Sequence, residues 1–212
     1  MNAATVGLLV VAGAFAGLNW WSQAFGSLVL EYVSKPAVTA LLAAAAVTLD
    51  PQSSAARPWF VAALLASLAG DVLLMLPGDR FVAGLAAFLL AHVLYVVGFL
   101  VGGVHGGAAL VGVAVVLLAL VPLARVIVRG ARRTDPSVVG AVLVYIAVIS
   151  CMVVAASGSW RAAAIIGALL FAASDSLIAW NRFVGATPAA PVVIMITYHL
   201  GQLGLLLSLV KR

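Results

Sequence analysis

Charged residues are scarce in this chain of 212 residues: Asp, Glu, Lys and Arg make up only 8% of it, against about 25% in an average soluble domain. Nucleic-acid binding needs a basic, solvent-exposed face, so we expect no nucleic-acid partner. The single cysteine, Cys151, excludes an internal disulfide and a CxxC metal site. Because Cys151 lies in the middle of an apolar run, we expect it to pack inside the protein.

Hydrophobic residues make up 66% of the chain, and the mean hydropathy is +1.26. A helix needs about 20 apolar residues to cross the hydrocarbon core of a bilayer. The apolar runs are continuous rather than alternating, which indicates helices and not barrel strands. The runs lie near Ala3–Trp20, Lys35–Leu49, Pro58–Leu76, Phe81–Val101, Ala108–Val128, Ser137–Ala156, Arg161–Trp180 and Ala190–Val210.

These runs predict an all-α, polytopic membrane bundle of eight transmembrane helices that forms a single domain over residues 1–212. The second run is short, so we expect its helix to begin earlier, near Leu28, or to kink at Pro36. The first run lacks a basic leader segment, and we therefore interpret it as a span rather than a cleavable signal. We expect an integral protein of a bacterial plasma membrane, and nothing in the sequence indicates its oligomeric state.

Positive charges in short loops indicate the orientation of the bundle. If the N-terminus is outside, seven Lys and Arg residues lie at the inner ends of the spans and four at the outer ends. The segment Val128–Asp135, which reads VRGARRTD, contributes most of this difference. We therefore expect both termini outside.

Two aspartates lie inside runs of membrane-spanning length, Asp71 in the third and Asp175 in the seventh. A carboxylate at the bilayer centre costs about 2.5–3.5 kcal/mol on insertion scales, so such residues usually mark a wet cavity or a site of chemistry. Each aspartate comes five residues before the end of its run. We expect both carboxyls at equal depth, about 7–8 Å from the ends of their helices.

The regions around the two aspartates resemble each other. GDVLLMLPGDRF over residues 70–81 and SDSLIAWNRF over residues 174–183 both place a small residue before Asp and Arg-Phe at the start of the next segment. The following runs each carry a His with a polar residue three positions later. These similarities suggest a parallel internal repeat of four plus four helices.

Other polar residues in the runs are candidates for binding or positioning a substrate. His92 and Tyr95 share one helix face, as do His199 and Gln202, because each pair is three residues apart. We expect one polar pocket to bring them together with the two aspartates. Histidines and tyrosines at such positions also serve as hydrogen-bond partners between helices, and arginines as topology anchors. The remaining candidates are Asn19, Lys35, Arg80, Asn181, Arg182 and Tyr198.

Several of these segments resemble the YhhN family of lysoplasmalogenase-like integral membrane proteins. The resemblance extends from Lys35–Pro36 through GDVLLMLPGDRFVAGLAAFLLAHVLY (residues 70–95) and SDSLIAWNRF (residues 174–183) to YHLGQ (residues 198–202). It implies an eight-helix protein that hydrolyses the vinyl ether bond of lysoplasmalogens, which are lysophospholipids, to a fatty aldehyde and glycerophosphoethanolamine or glycerophosphocholine. The aspartates of the family motifs correspond to Asp71 and Asp175, and we expect no cofactor or metal.

The chemistry of a vinyl ether suits a pair of carboxyls. Protonation of its β-carbon gives an oxocarbenium ion, which water captures as a hemiacetal that collapses to aldehyde and alcohol. One carboxyl is needed as general acid and a second, ionised one to stabilise the cation and activate water. The residues alone do not assign these two roles. Lys35, Arg80 and Arg182 are suited to the lipid phosphate.

Two other functions fit the same residues. Asp71, His92, Asp175 and His199 have the ligand chemistry of a zinc-dependent lipid hydrolase. Intramembrane carboxylates and internal repeats are also typical of proton-coupled transporters. Metal analysis and chelator sensitivity test the first alternative, and proton-linked flux without hydrolysis tests the second.

Overall fold

The computed structural model describes residues 1–211, and within them eight helices are long and apolar enough to cross a membrane. No strand is assigned in this part of the chain beyond one isolated bridge between Pro51 and Val210. The predicted all-α bundle of eight spans is thus confirmed, and the protein is an integral membrane protein. The helices are α1 Ala3–Phe25, α2 Leu28–Thr48, α3 Arg57–Met75, α4 Phe81–Gly102, α5 Gly106–Thr134, α6 Pro136–Gly158, α7 Ala162–Phe183 and α8 Ala190–Leu207.

Local sequence explains where several helices begin and end. The Asn2 side chain accepts a hydrogen bond of 2.8 Å from the Thr5 backbone N–H and so caps α1. Gly26, with φ of +74°, ends α1 in the left-handed conformation that glycine adopts readily. Helix α2 begins at Leu28, as predicted, and continues through Pro36.

Helix α5 contains a π-helical segment, Val116–Leu120, just before Pro122. Proline has no backbone N–H and disturbs the regular i to i−4 pattern, and a π segment is one way to accommodate it. α5 is also the least buried of the eight spans. It approaches its neighbours closely on either side of this segment, because a Cβ at Gly112 would clash with α6 and one at Gly130 with the Phe183 carbonyl of α7.

Helices that follow each other in the chain make the most extensive contacts, namely α1 with α2, α3 with α4 and α7 with α8. Glycines bring α7 and α8 together most closely. A Cβ at Gly167 would lie 2.6 Å from the Leu205 backbone nitrogen, and one at Gly204 would lie 2.8 Å from the Gly167 Cα. Small residues at helix contacts of this kind are typical of membrane bundles.

The two ends of the bundle are held by different contacts. At one end, which we call the Asp79 end, Arg182 forms an ion pair with Asp79, and the Phe81 and Phe183 rings lie 5.8 Å apart. At the other end, Arg161 donates hydrogen bonds to the Gln52 side chain and the Val210 carbonyl. We call this the Arg161 end.

Two expectations from the sequence are wrong. Cys151 is exposed on the outer surface of α6 instead of packed inside. Asp71 lies four residues before the end of α3 and Asp175 eight before the end of α7, which correspond to about 6 Å and 12 Å of helix. The distances differ because α7 continues to Phe183, whereas α3 ends at Met75. The internal repeat stays a prediction, and Arg212, which entered the charge balance, lies outside the described residues.

Candidate active site

Asp71 is 1% exposed and lies between polar side chains of α2 and α8. Its Oδ2 accepts hydrogen bonds from the Thr39 hydroxyl at 2.7 Å and the Tyr198 hydroxyl at 2.8 Å. The Lys35 Nζ lies 4.0 Å from Oδ1. A buried carboxylate needs such compensation, because burying an isolated charge is very costly. Lys35 and Thr39 are one helical turn apart, so both reach Asp71 from the same face of α2.

A chain of hydrogen bonds extends from Asp71 into α4 and α8. The Gln202 amide donates to the Tyr198 hydroxyl at 3.3 Å, and the Tyr95 hydroxyl donates to the Gln202 oxygen at 2.6 Å. The predicted residues Tyr95, Tyr198 and Gln202 therefore do lie together beside Asp71. Tyr95 and Gln202 are fully buried, and their mutual hydrogen bond satisfies groups that would otherwise be costly to bury.

Asp175 has a different set of neighbours. The Tyr145 hydroxyl of α6 donates to its Oδ2 at 2.5 Å, and the His92 Nε2 of α4 lies 3.5 Å from the same oxygen. The His92 ring also packs edge-on against the Tyr145 ring, with 5.2 Å between their centroids. His92 was predicted at this site, and the structure places it next to Asp175 rather than Asp71.

Aromatic rings lie between the surroundings of the two aspartates. The Phe171 ring packs edge-on against His92 on one side, at 4.7 Å, and against Tyr198 on the other, at 5.3 Å. Phe88 contacts both Phe171 and Tyr198. Tyr198 is itself a hydrogen-bond donor to Asp71, and His92 is a neighbour of Asp175. These aromatic rings thus lie between the neighbours of the two acids, and we call them the Phe171 layer (Phe88, Phe171 and Tyr198).

A largely apolar cavity lies next to Asp175. Its walls come from helices α3 to α7, and the carboxyl of Asp175 and the hydroxyl of Tyr145 are among its few polar groups. The cavity continues toward the Asp79 end, where Phe81 and Phe183 line it. A cavity with this lining fits a hydrocarbon chain that ends beside a carboxyl.

Helix α1 completes the polar region around Asp71. The Trp20 indole N–H donates to the His199 Nδ1 at 3.1 Å, and the Asn19 amide donates to the Ser34 hydroxyl at 3.1 Å. Asn19 is fully buried and His199 is 3% exposed. Asn19, Lys35 and His199 were predicted as binding or positioning residues, and all three belong to this polar region.

Three predicted candidates lie elsewhere, at the Asp79 end. Arg80 is exposed at the start of α4. The Asn181 side chain accepts a hydrogen bond from the Thr187 backbone N–H at 3.1 Å. Arg182 pairs with Asp79 and lies over the Phe81 ring at 5.0 Å. The single pocket expected from the sequence is therefore divided, because Arg80 precedes α4, and Asn181 and Arg182 lie in the last turn of α7, six and seven residues beyond Asp175.

The Arg182 side chain also affects the acid with which it pairs. Its hydrogen bond holds the pKa of the Asp79 carboxyl below the ordinary value of 3.8, helped by a bond from the Phe81 backbone N–H. Asp79 itself belongs to the Pro77–Asp79 turn, and the bond to Phe81 N–H is the local turn contact expected of it. Both side chains are well exposed, so this pair contributes little to stability.

Sequence reasoning missed three residues that contact the site. Thr39 and Tyr145 are direct hydrogen-bond donors to the aspartates, and Trp20 is the donor to His199. Two signals were available: Thr39 follows Lys35 by one helical turn, and Tyr145 is the sole tyrosine of its apolar run. Trp20 ends the first apolar run, where tryptophans commonly serve as interfacial anchors, so its position gave no signal of a hydrogen bond to His199.

The described residues do not bring together a set of metal ligands. No group of three or more His, Cys, Asp and Glu side chains among residues 1–211 is arranged to hold a metal ion. The four residues considered for zinc are divided by the Phe171 layer into Asp71 with His199 and Asp175 with His92. This geometry gives the metal-dependent alternative no support.

Comparisons with known proteins agree with this architecture. The model of the YhhN family matches residues 30–209. A human protein named lysoplasmalogenase TMEM86B is 36% identical over 154 residues, which cover 70% of this chain and 62% of the human one. A Mycobacterium bovis protein named lysoplasmalogenase is 34% identical over 190 residues, or 86% of this chain and 71% of its own length. The chain therefore spans about three fifths of the human relative. No solved structure matches significantly.

Proposed function

Because this chain belongs to the YhhN family, we propose that it is a membrane-embedded hydrolase that cleaves the vinyl ether bond of lysoplasmalogens. The products are a fatty aldehyde and glycerophosphoethanolamine or glycerophosphocholine. One observation carries the proposal beyond family membership: a carboxyl, Asp175, lies at membrane depth in the wall of an apolar cavity. A second buried carboxyl, Asp71, accepts a hydrogen bond from Tyr198, whose ring packs against Phe88 in the wall of the same cavity.

The cavity and Asp175 supply the first step of the reaction. The alkenyl chain lies in the cavity, with its vinyl ether carbons beside the carboxyl. Tyr145 donates to Oδ2, so Oδ1 is the oxygen that carries and delivers the proton. Transfer of this proton to the β-carbon produces an oxocarbenium ion and leaves Asp175 as a carboxylate. A positioned general acid of this kind contributes roughly 10²- to 10⁴-fold to a rate.

Asp71 supplies the second carboxylate. Lys35 places a positive charge 4.0 Å from it, which compensates a negative charge at that position. The carboxylate of Asp71 stabilises the oxocarbenium ion and accepts a proton as water adds to the cationic carbon. The resulting hemiacetal then breaks its bond to the glycerol oxygen. Asp71 returns its proton to that oxygen, which leaves as the alcohol, and the Asp175 carboxylate takes the hydroxyl proton as the carbon becomes the aldehyde, so both acids regain their starting states.

The orientation in the membrane belongs to the same proposal. The arginines of residues 125–133 lie toward the Asp79 end of the bundle. By the positive-inside rule this end faces the cytoplasm and both termini face outward. We assign the protein to a bacterial plasma membrane, where the apolar cavity is then open to lipid of the inner leaflet.

The test is hydrolysis by the purified protein. Lysoplasmalogen and its saturated alkyl-ether analogue are incubated separately, and aldehyde is measured. We expect aldehyde from the vinyl ether alone, because an alkyl ether cannot form the oxocarbenium ion by protonation at carbon. Aldehyde release that a chelator abolishes would favour a metal-dependent hydrolase. Proton-linked flux in proteoliposomes without aldehyde release would replace the proposal with a transporter.

A further inference from the structure

Part of the polar region around Asp71 has hydrogen-bonding groups that no residue in the described part of the chain satisfies. The buried atoms concerned are Asn19 Oδ1 and Gln23 Nε2 on α1, Ser67 Oγ and Asp71 Oδ1 on α3 and His199 Nε2 on α8. A buried polar atom without a partner costs about 1–3 kcal/mol, and in native proteins such groups usually have a functional reason. Their concentration between α1, α3 and α8, beside Lys35 on α2, indicates a ligand site.

The hydrogen bond from Trp20 decides what His199 can offer to a ligand. The indole N–H only donates, so the His199 Nδ1 that accepts it must carry a lone pair. In the neutral ring the proton is then on Nε2, which makes this buried atom a hydrogen-bond donor. Trp20 is therefore a positioning residue, because it sets the tautomer of His199 without reaching the ligand.

Lys35 and Gln23 add further donors to the same side of the bundle. Lys35 is 8% exposed and lies 4.0 Å from Asp71 Oδ1, longer than a hydrogen bond, so its ammonium keeps donors for another acceptor. His199 follows Tyr198, which donates a hydrogen bond to the same aspartate. Gln23 is one helical turn from Asn19 and two residues from the end of α1, so the cluster extends toward the membrane surface. One cation and two neutral donors suit a phosphate group.

This cluster and the apolar cavity lie on different sides of the two aspartates. Helices α1, α2 and α8 form the cluster around Asp71, whereas helices α3 to α7 form the cavity beside Asp175. A molecule that reaches from one to the other has a phosphate at one end and a hydrocarbon chain at the other. Its atoms between these ends pass the two carboxyls.

We infer that Lys35, His199 and Gln23 bind the phosphate of the lysophospholipid head group, while the chain occupies the cavity beside Asp175. This inference rests on the proposed function for the identity of the bond that is cleaved. The binding of the phosphate group does not depend on that function. It also selects Lys35, and not Arg80 or Arg182, as the cation that recognises the head group. The arginines at the Asp79 end are less suited, because Arg80 is exposed just before α4 and Arg182 already pairs with Asp79.

The test is equilibrium binding of radiolabelled 1-O-hexadecyl-glycerophosphoethanolamine to the protein in dodecyl maltoside, a detergent without phosphate. This ligand has no vinyl ether bond, so binding does not depend on hydrolysis. The phosphate-free comparison ligand is 1-O-hexadecylglycerol. We expect Lys35→Gln to weaken binding of the phospholipid at least tenfold and to leave binding of the alkylglycerol unchanged. Unchanged alkylglycerol binding also shows that the variant is folded.

The His199 site gives a second, independent measurement. His199→Gln keeps an amide donor near the position of Nε2, whereas His199→Leu removes it. We expect the leucine variant to lose phospholipid affinity and the glutamine variant to retain most of it. Trp20→Phe is expected to weaken phospholipid binding and not alkylglycerol binding. The matched control is Lys211→Gln, since Lys211 also pairs with an aspartate, Asp50, but at the Arg161 end.

Three results would overturn the inference. The first is equal affinity of the unmodified protein for the two ether ligands. The second is loss of phospholipid affinity in Arg182→Gln but not in Lys35→Gln. The third is displacement of the lipid by inorganic phosphate at the lipid's own concentration, which would indicate a site for the free anion. If Lys35-dependent binding is found but lysoplasmalogen releases no aldehyde, the proposed function fails and the head-group site stands.

Discussion

Asp71 and Asp175 are the same residue type at membrane depth, yet their surroundings differ in almost every respect. Two hydroxyls and a lysine surround Asp71 between α2, α3 and α8. Asp175 has one hydroxyl and one imidazole as neighbours and faces an apolar cavity. In a medium of low dielectric constant such differences decide how easily a carboxyl carries charge. Two identical side chains thereby become suited to two different roles.

The comparison also shows how an amphipathic substrate can be matched. Most of the polar groups with unsatisfied hydrogen bonds lie on the Asp71 side, His92 beside Asp175 being the exception, and an apolar cavity lies on the Asp175 side. The Phe171 layer between them keeps each carboxyl in its own environment. Variants that change the surroundings of one aspartate at a time should therefore have unequal effects on turnover.

The largest effect is expected from removing either acid. Asp71→Asn and Asp175→Asn keep the size of the side chain but can neither deliver a proton nor carry a negative charge. Each should reduce aldehyde release by roughly 10²- to 10⁴-fold, with the protein still folded in detergent. Near-native turnover in either variant would contradict the assignment of that aspartate.

A smaller and unequal effect is expected from the two tyrosines that donate to the acids. Tyr145→Phe removes the sole hydroxyl bonded to Asp175 within the described residues, whereas Tyr198→Phe leaves Asp71 with Thr39. A hydrogen bond to a charged group contributes about 1.5–3 kcal/mol. We expect Tyr145→Phe to lower kcat roughly tenfold to a hundredfold and Tyr198→Phe to lower it less. The pH profiles of kcat for both variants check whether the tyrosines act through the carboxyls, and the opposite order of kcat would contradict the comparison.

Filling the cavity tests the Asp175 side alone. Ala179 lines the cavity one helical turn after Asp175, so Ala179→Phe should reduce space for the chain. We expect turnover of long-chain substrates to fall roughly tenfold more than turnover of short-chain ones, since pocket volume discriminates by about 1–3 kcal/mol per methylene. The matched control is Ala173→Phe, because Ala173 is exposed on the same helix. Equal losses for all chain lengths would indicate that the chain lies elsewhere.

The smallest effect is expected at the Asp79–Arg182 pair. The folded-state pKa of Asp79 is lowered, so the pair stabilises the protein above the unfolded value of 3.8, and this contribution is lost as pH falls through the lowered pKa. At pH 7 the Asp79→Asn variant should therefore unfold at a slightly lower temperature than the unmodified protein. This difference in unfolding temperature should vanish at acid pH. Turnover should not change. A difference that grows as pH falls would contradict the sign of this shift.

The sequence predicted those features of the site that depend on residues close together in the chain. His92, Tyr95, His199 and Gln202 were recognised by their spacing, since residues three apart share a helix face. The spacing did not indicate that His92 would meet Asp175, because helix α4 meets α6 and α7 only in the packed bundle. Tyr145 and Thr39 were missed for the same reason. A hydroxyl in an apolar run has no local signal of the carboxyl it will contact.

The amino-acid sequence by itself determined that this protein crosses the membrane eight times and carries two acids at membrane depth. Both are consequences of hydropathy along a single helix, which depends on residues close in the chain. Only the tertiary structure decided that one acid meets a lysine and two hydroxyls while the other faces an apolar cavity. The reason is physical: which faces of eight helices meet is set by close packing between residues up to about 180 positions apart, such as Trp20 and His199.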